Sequence, residues 1–346
     1  MVHFQVAKHD IGQGPAFLIA EIAQSHDGSL GQAHAFIDAA HRAGADAIKF
    51  QTHIAAAEST LDEPFRTKFS RQDSTRLDYW RRMEFTPEQW AGLAAHAAEK
   101  SLVFLSSAFS IEAVELLDRI GMPAWKVASG ELGSDSLLQS MISTGSPFLV
   151  SSGMSGWAEI DALTQRLKSA DRAYALLQCT SKYPTPLTQV GLNVLDQMRA
   201  RYGVPVGLSD HSGIQHPAMA AIARGASVVE LHLAIDRSMF GPDVVVSLLV
   251  DEFRAVRDFR DALVTIDANP VDKEAVAVEL AQMRAMFRRS LAPRRAIQKG
   301  ERILADMLVS KKPGTGIPES ELSTLVGKRA VRDLVPERLI KREDLE

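Results

Sequence analysis

The sequence predicts a (β/α)8 barrel followed by a small C-terminal module. Three observations lead there. Eight short apolar or β-branched runs alternate with segments of helical periodicity over about 240 residues, the count and length of such a barrel. Nearly every run ends in polar side chains, and the composition changes around Arg288.

The runs, in order, are AFLIAEIA (16–23), DAIKFQT (46–52), LVFLSSAF (102–109), AWKVASG (124–130), FLVSSGM (148–154), YALLQCTS (174–181), VPVGLSDH (204–211) and SVVELHLA (227–234). Between them, GQAHAFIDAAHRAGA places Phe36, Ile37 and Ala40 on one face and stops at Gly44. FTPEQWAGLAAHAAEK offers Thr86 as N-cap, Pro87 at the first helical position and Gln89 at the third, a capping box. A helix is expected near DEFRAVRDFRDALVTI, and the polar, Pro-containing DANPVDKEAVAVE after it is expected to be a linker. The predicted boundaries are 1–270 for the barrel, 271–286 for the linker and 287–346 for the module. That last segment has short apolar pieces, Gly300 and Gly327 at turns, and a Gly-rich KKPGTGI loop at 311–317. About 60 residues of this kind barely stabilise themselves, so docking on a partner surface is expected.

The composition limits the function. A chain of 346 residues with 46% hydrophobic content can bury a sizeable core. The 39 basic and 43 acidic residues give a net charge of -4 without a basic block. That balance argues against nucleic acid or an anionic membrane as partner. No run approaches the roughly 20 apolar residues of a membrane span, and the opening MVHFQVAKHDIGQG lacks a signal-peptide core. Cys179 is the single cysteine, so no intrachain disulfide forms, in keeping with a reducing, cytoplasmic location.

Residues two apart on a strand share a face, so Lys49 and Gln51 point together, as do Ser209 and His211, and Glu230 and His232. Barrel enzymes carry their chemistry at the C-terminal strand ends, so these polar endings form one composite site. His211 and His232 end neighbouring strands about 4.8 Å apart and are candidates to share a divalent metal; hydrogen-bonded structural histidines are the other interpretation. Two imidazoles leave coordination positions open, which suits a transition metal that polarises a carbonyl. A closed zinc site usually needs four ligands, and Cys179 stands alone.

Lys49 and Lys126, with Ser107, Ser129, Ser151 and Ser209, resemble a cradle for phosphate or carboxylate. Two other interpretations of Lys126 stay open: a structural ion pair with Glu21 or Glu131, and a Schiff-base nucleophile. Glu21, ending the first run, and Asp243, in the loop RSMFGPDVV, can flank the site as acid and base. For Asp243 a surface position is the other interpretation.

FLIAEIAQSHDGSL, GADAIKFQT, WKVASGE, VSSGM, LLQCTSKYP, VGLSDHSG, RSMFGPDVVVSL and KKPGTGI follow one another as in the sialic acid synthase family, which the whole chain resembles. The resemblance implies a (β/α)8 TIM barrel, a C-terminal antifreeze-like (SAF) domain and a domain-swapped homodimer. The implied reaction condenses phosphoenolpyruvate with an N-acylated amino sugar and water. It implies His211 and His232 as manganese ligands, with magnesium or cobalt as substitutes. Lys49, Ser107, Lys126, Ser129, Ser151 and Ser209 are the implied phosphoenolpyruvate-binding groups, and Gln51, Tyr183, Asp243 and Lys312 lie towards the sugar. Glu21 is the implied acidic residue that acts on water or a transferred proton. Departures from the family pattern include Ser25 for asparagine, Gln178 for histidine, and Lys312 for an arginine of the small domain. Lysine keeps that charge but loses the planar fork. These differences point to a retained reaction on an unusual sugar. A Schiff-base aldolase through Lys126 and a catalytically idle sugar-binding paralogue are the alternatives.

Overall fold

The computed structural model describes residues 2–346 and divides into two compact units, one ending at Ala268 and the other spanning Asn269–Glu346. In the first unit, β1 (Phe4–Val6) and β2 (His9–Ile11) form an antiparallel hairpin. Eight parallel strands follow: β3 (Phe17–Ala23), β4 (Ala47–Thr52), β5 (Val103–Ala108), β6 (Trp125–Val127), β7 (Phe148–Ser151), β8 (Tyr174–Cys179), β9 (Val206–Asp210) and β10 (Val228–His232). Their order is β5-β4-β3-β10-β9-β8-β7-β6, and β5 also approaches β6, so the ladder curls into a barrel.

All eight strands are buried on both faces, apart from a half-buried Gln51, because helices cover the outside while side chains fill the inside. The helix Leu30–Ala43 starts where Ser29 accepts the amide of Gln32 and ends at Gly44, whose φ of 76° is left-handed. Its Phe36, Ile37 and Ala40 are buried, the face expected from the sequence. The helix Pro87–Glu99 carries the expected reciprocal cap between Thr86 and Gln89. Its Trp90 is fully buried against the edges of Phe50, Phe85 and Phe104, and burial of a side chain that size stabilises by roughly 2–3 kcal/mol. Gly207 on β9 faces the backbone of β10 so closely that a Cβ there would lie 2.2 Å from the Val228 carbonyl oxygen.

Between β4 and the helix Pro87–Glu99 the chain makes a long excursion containing the helices Ala55–Glu58 and Arg76–Met83. It builds a small core of its own from Leu77, Tyr79, Trp80 and Met83 with Phe65 and Phe69. Arg82 ties it down through Asp27 at 2.6 Å and Asp73 at 2.7 Å.

The second unit opens with the helices Lys273–Glu279 and Ala281–Phe287, so the stretch 271–286, expected to be a linker, is largely helical. Asp272 caps the first of these by accepting the amides of Glu274 and Ala275. An antiparallel pair follows, β11 (Ser290–Pro293) with β12 (Leu308–Lys311). Leu291, Ile303, Leu308, Ile317 and Ile340 pack into a separate core. Among the described residues, no helix is long and apolar enough to cross a membrane.

Candidate functional site

The C-terminal ends of the barrel strands hold a chain of buried charges. Glu21 on β3 pairs with Lys49 on β4 at 2.7 Å. Lys49 lies 3.9 Å from Glu230 on β10, and Glu230 lies 3.3 Å from Lys126 on β6. Glu230 therefore stands between the two lysines, and Lys126 pairs with it and not with Glu21 or Glu131. The Glu131 carboxylate instead accepts the Ser134 hydroxyl. Three predicted serines join the chain. Ser151 accepts from Lys126 at 2.8 Å, Ser107 accepts from Lys49 at 3.4 Å, and Ser209 donates to Glu230 at 3.1 Å. Ser129 lies one step out, paired with Ser181.

Burial shapes the charges. It raises the Glu21 carboxyl to about 7, with Lys49 acting against that rise. Burial works against the ammonium of Lys49, yet Glu21 and Glu230 outweigh it and lift its pKa. At Lys126 burial wins and the pKa falls. Burial alone would raise Glu230, but Lys126 and Lys49 hold it below the ordinary glutamate value.

Beside this chain stand His211 and His232, ring centroids 5.3 Å apart. His211 Nδ1 lies 3.1 Å from the Thr180 carbonyl oxygen and Nε2 lies 2.9 Å from the Tyr183 hydroxyl. The carbonyl can only accept, so the Nδ1 proton points there and the Nε2 lone pair faces Tyr183. His232 Nδ1 is buried without a partner. Burial lowers the pKa of both, His211 to about 4 and His232 well below its ordinary value, so both rings are neutral at pH 7. Among the described residues, no three His, Cys, Asp or Glu side chains converge as a metal centre. Two neutral imidazoles, one with an unpartnered buried nitrogen, nevertheless fit a divalent transition metal whose remaining positions go to substrate and water. Cys179 Sγ sits 3.8 Å from His211 Nδ1, and burial pushes its thiol up to about 11.

A cavity of about 180 Å³ opens over His232, lined among others by Gln24, Gln51, Arg66, Arg76, Tyr183 and Asp243. Gln51 donates to Glu21 at 2.8 Å. Asp243 is buried, not on the surface, and burial raises it to about 6 although Arg66 and Arg76 oppose the shift. The Arg66 guanidinium lies over the Tyr183 ring, 4.2 Å from its centroid. Of the predicted site residues, Lys312 belongs to the second unit, where its ammonium lies 4.8 Å from the centre of the Phe287 ring.

The sequence reading placed Glu230 beside His232 without giving it a role, and did not single out Gln24, Arg66 or Arg76. Glu230 carries a signal, because it shares a strand face with His232 and its register partner is Ser209. Arg66 and Arg76 come from the excursion, which has no strand or barrel-helix pattern to index them.

Comparison with known proteins identifies the family of the chain. A family model described as "NeuB family" matches residues 36–268, and one described as "SAF domain" matches 288–346. The N,N'-diacetyllegionaminic acid synthase of Legionella pneumophila is 32% identical over 92% of this chain and 91% of its own length. The human N-acetylneuraminate-9-phosphate synthase is 32% identical over 92% of this chain and 90% of its own. The crystal structure of the spore coat polysaccharide biosynthesis protein SpsE from Bacillus subtilis matches with a TM-score of 0.65 and 28% identity, covering 100% of this chain and 99% of that one. With its barrel, its C-terminal SAF domain and these relatives, the chain belongs to the NeuB family, whose members include sugar acid synthases.

Proposed function

We propose that this protein condenses phosphoenolpyruvate with an N-acylated amino hexose and water, giving a nonulosonic acid and phosphate, in the cytoplasm. The observation that carries this reading is the pair of buried lysines bridged by Glu230 beside two neutral histidines. A trianionic substrate finds there the fixed positive charge, and Ser107 and Ser151 add hydroxyls within reach of the same ammonium groups.

In the reaction, C3 of phosphoenolpyruvate bonds to the aldehyde carbon of the sugar and water adds at C2. The C2–O bond to phosphate then breaks. Of the two water protons, one ends on the new hydroxyl and the other leaves with phosphate. Lys49 and Lys126 hold the carboxylate and phosphoryl charges throughout, and Lys126 forms no covalent bond. Glu21, raised to about 7, can take a proton from the attacking water and pass it to the aldehyde oxygen that becomes the new hydroxyl. His211 and His232 would hold a manganese ion, with magnesium or cobalt as substitutes. When bound, it supplies a Lewis acid for the sugar's carbonyl oxygen. Gln51, Tyr183 and Asp243 line the acceptor side. Val278, Met283, Met286 and Phe287 are exposed on the helices that open the second unit. This supports a homodimer in which a second copy covers them.

Phosphate release from phosphoenolpyruvate, measured over a panel of N-acyl hexosamines with and without manganese, tests the proposal. Release that requires both an acceptor and the metal supports it. Full activity after chelation, together with borohydride trapping of an imine at Lys126, would replace it with aldolase chemistry.

A further inference from the structure

Outside the cavity, one buried pair has no part in the chemistry above. His53, just beyond β4, places Nδ1 2.5 Å from the Glu58 carboxylate. Its ring is sandwiched between Trp80, with centroids 3.8 Å apart, and Phe109 at 4.6 Å. The His53 and Glu58 side chains are only 3% and 7% exposed. On the inner side, His53 Nε2 meets Gln24 Nε2 at 2.5 Å, Gln24 Nε2 reaches Gln51 Oε1 at 3.0 Å, and Gln51 Nε2 donates to Glu21.

The directions in this chain follow from its ends. With Glu21 ionised its carboxylate only accepts, so Gln51 then turns its amino group to Glu21 and its oxygen to Gln24. Gln24 must then turn its amino group to Gln51, and the same nitrogen faces His53. His53 Nε2 is left to accept, which puts the imidazole proton on Nδ1, facing Glu58. Glu58 demands the same tautomer independently, and the flat stack on Trp80 and Phe109 holds the ring in that plane. Both Gln24 amide protons are consumed, so its Oε1 is the atom free for the cavity it lines.

We propose that the Glu58–His53 pair is a positioning element that locks the Gln24 and Gln51 amides, so that Gln24 presents an acceptor oxygen to a hydroxyl or acylamino N–H of the sugar. This rests on the condensation reading for the identity of the ligand, whereas the hydrogen-bond directions stand without it. Gln24 is thereby a specificity-determining residue, and His53 and Glu58 act through it.

The test uses the full-length protein. Imidazole nitrogen shifts at pH 7 read the His53 tautomer without any turnover. The Nδ1–H form is expected, and an Nε2–H form or an imidazolium overturns the lock even if the enzyme is active. Steady-state phosphate release then compares Gln24→Met, His53→Phe, which keeps a flat ring in the stack, and the double variant. About a tenfold loss in kcat/KM for the acceptor is expected of each, the size of one hydrogen bond. No change is expected in KM for phosphoenolpyruvate, and little further loss in the double variant. Glu58→Gln, which still fills the site but can turn an amino group to the ring, gives an intermediate loss. A fall in kcat with acceptor KM unchanged, or losses that multiply in the double variant, overturns the proposal by assigning these residues a general structural role. If the parent shows the tautomer but releases no phosphate with any acceptor, the condensation reading fails and the positioning pair stands.

Discussion

Replacing Glu230 with glutamine removes one negative charge from between two buried cations while keeping the shape. Its oxygens lie 3.3 Å from Lys126 and 3.9 Å from Lys49. At an effective dielectric of about 20, each attraction is about 4–5 kcal/mol before desolvation is subtracted. Glutamine still accepts from Ser209, so the loss is chiefly of charge. Lys49 keeps Glu21, but Lys126 is left with Ser151 and the backbone oxygen of Val127. Breaking a buried pair and stranding one partner costs about 3–5 kcal/mol, which lowers Tm by roughly 6–15 °C in a domain of this size. Thermal unfolding with and without inorganic phosphate is the assay. Phosphate should recover part of the loss, since it supplies the missing negative charge at the same ammonium groups. The pH dependence has a definite sign. A carboxylate held below its ordinary value of 4.5 stabilises fully above that pH, and the contribution is lost as pH falls through the depressed folded pKa. The gap between parent and variant therefore closes in acid below 4.5. An unchanged Tm at pH 7, or a gap indifferent to both phosphate and acid, refutes the placement of Glu230 as the bridging charge.

Three further outcomes are expected. Asp243, raised from 3.8 to about 6, stabilises most below 3.8 and loses that stability as pH rises through 6. Asp243→Asn should thus gain up to about 3 kcal/mol over the parent at pH 7 and nothing at pH 3.5; denaturant titrations at the two pH values decide it, and equal gaps count against it. His211→Ala should lose manganese stoichiometry and activity while its circular dichroism stays that of the parent; retained metal by elemental analysis would remove His211 from the ligand set. Gly207→Ala forces a methyl group to within 2.2 Å of the Val228 oxygen, so β9 and β10 must part, and a destabilisation above about 2 kcal/mol is expected in urea. A neutral result would mean the strands separate freely.

Local physics made much of this legible in the sequence. Gly44, Thr86 and Gln89 act within four residues of themselves, so their caps could be read directly. The two-residue period placed Lys49 with Gln51 and Ser209 with His211 because strand geometry alone decides it. Ion-pair choice across the barrel is different. Glu21, Glu131 and Glu230 were all available to Lys126, and only closure of the sheet brings β10 opposite β6 closely enough for Glu230 to win. Arg66 and Trp80 were hidden for another reason, since the excursion that carries them packs on its own small core and follows no repeat. Pro270 and the charges after it suggested a linker at 271–286, while the cap at Asp272 and the run Ala-Val-Ala-Val-Glu sufficed for a helix.

The buried thiol of Cys179 has a practical consequence. It is the chain's one sulfhydryl, and at neutral pH it is protonated and shielded from bulk reagents. The native protein is therefore close to a blank for maleimide and nitroxide chemistry. A cysteine introduced at Ile266, which is 66% exposed and lies outside the patch a second copy would cover, would carry a spin label with little background. Pulsed dipolar spectroscopy on that single-label protein would report a distance only between two copies, giving the assembly state directly from the echo decay.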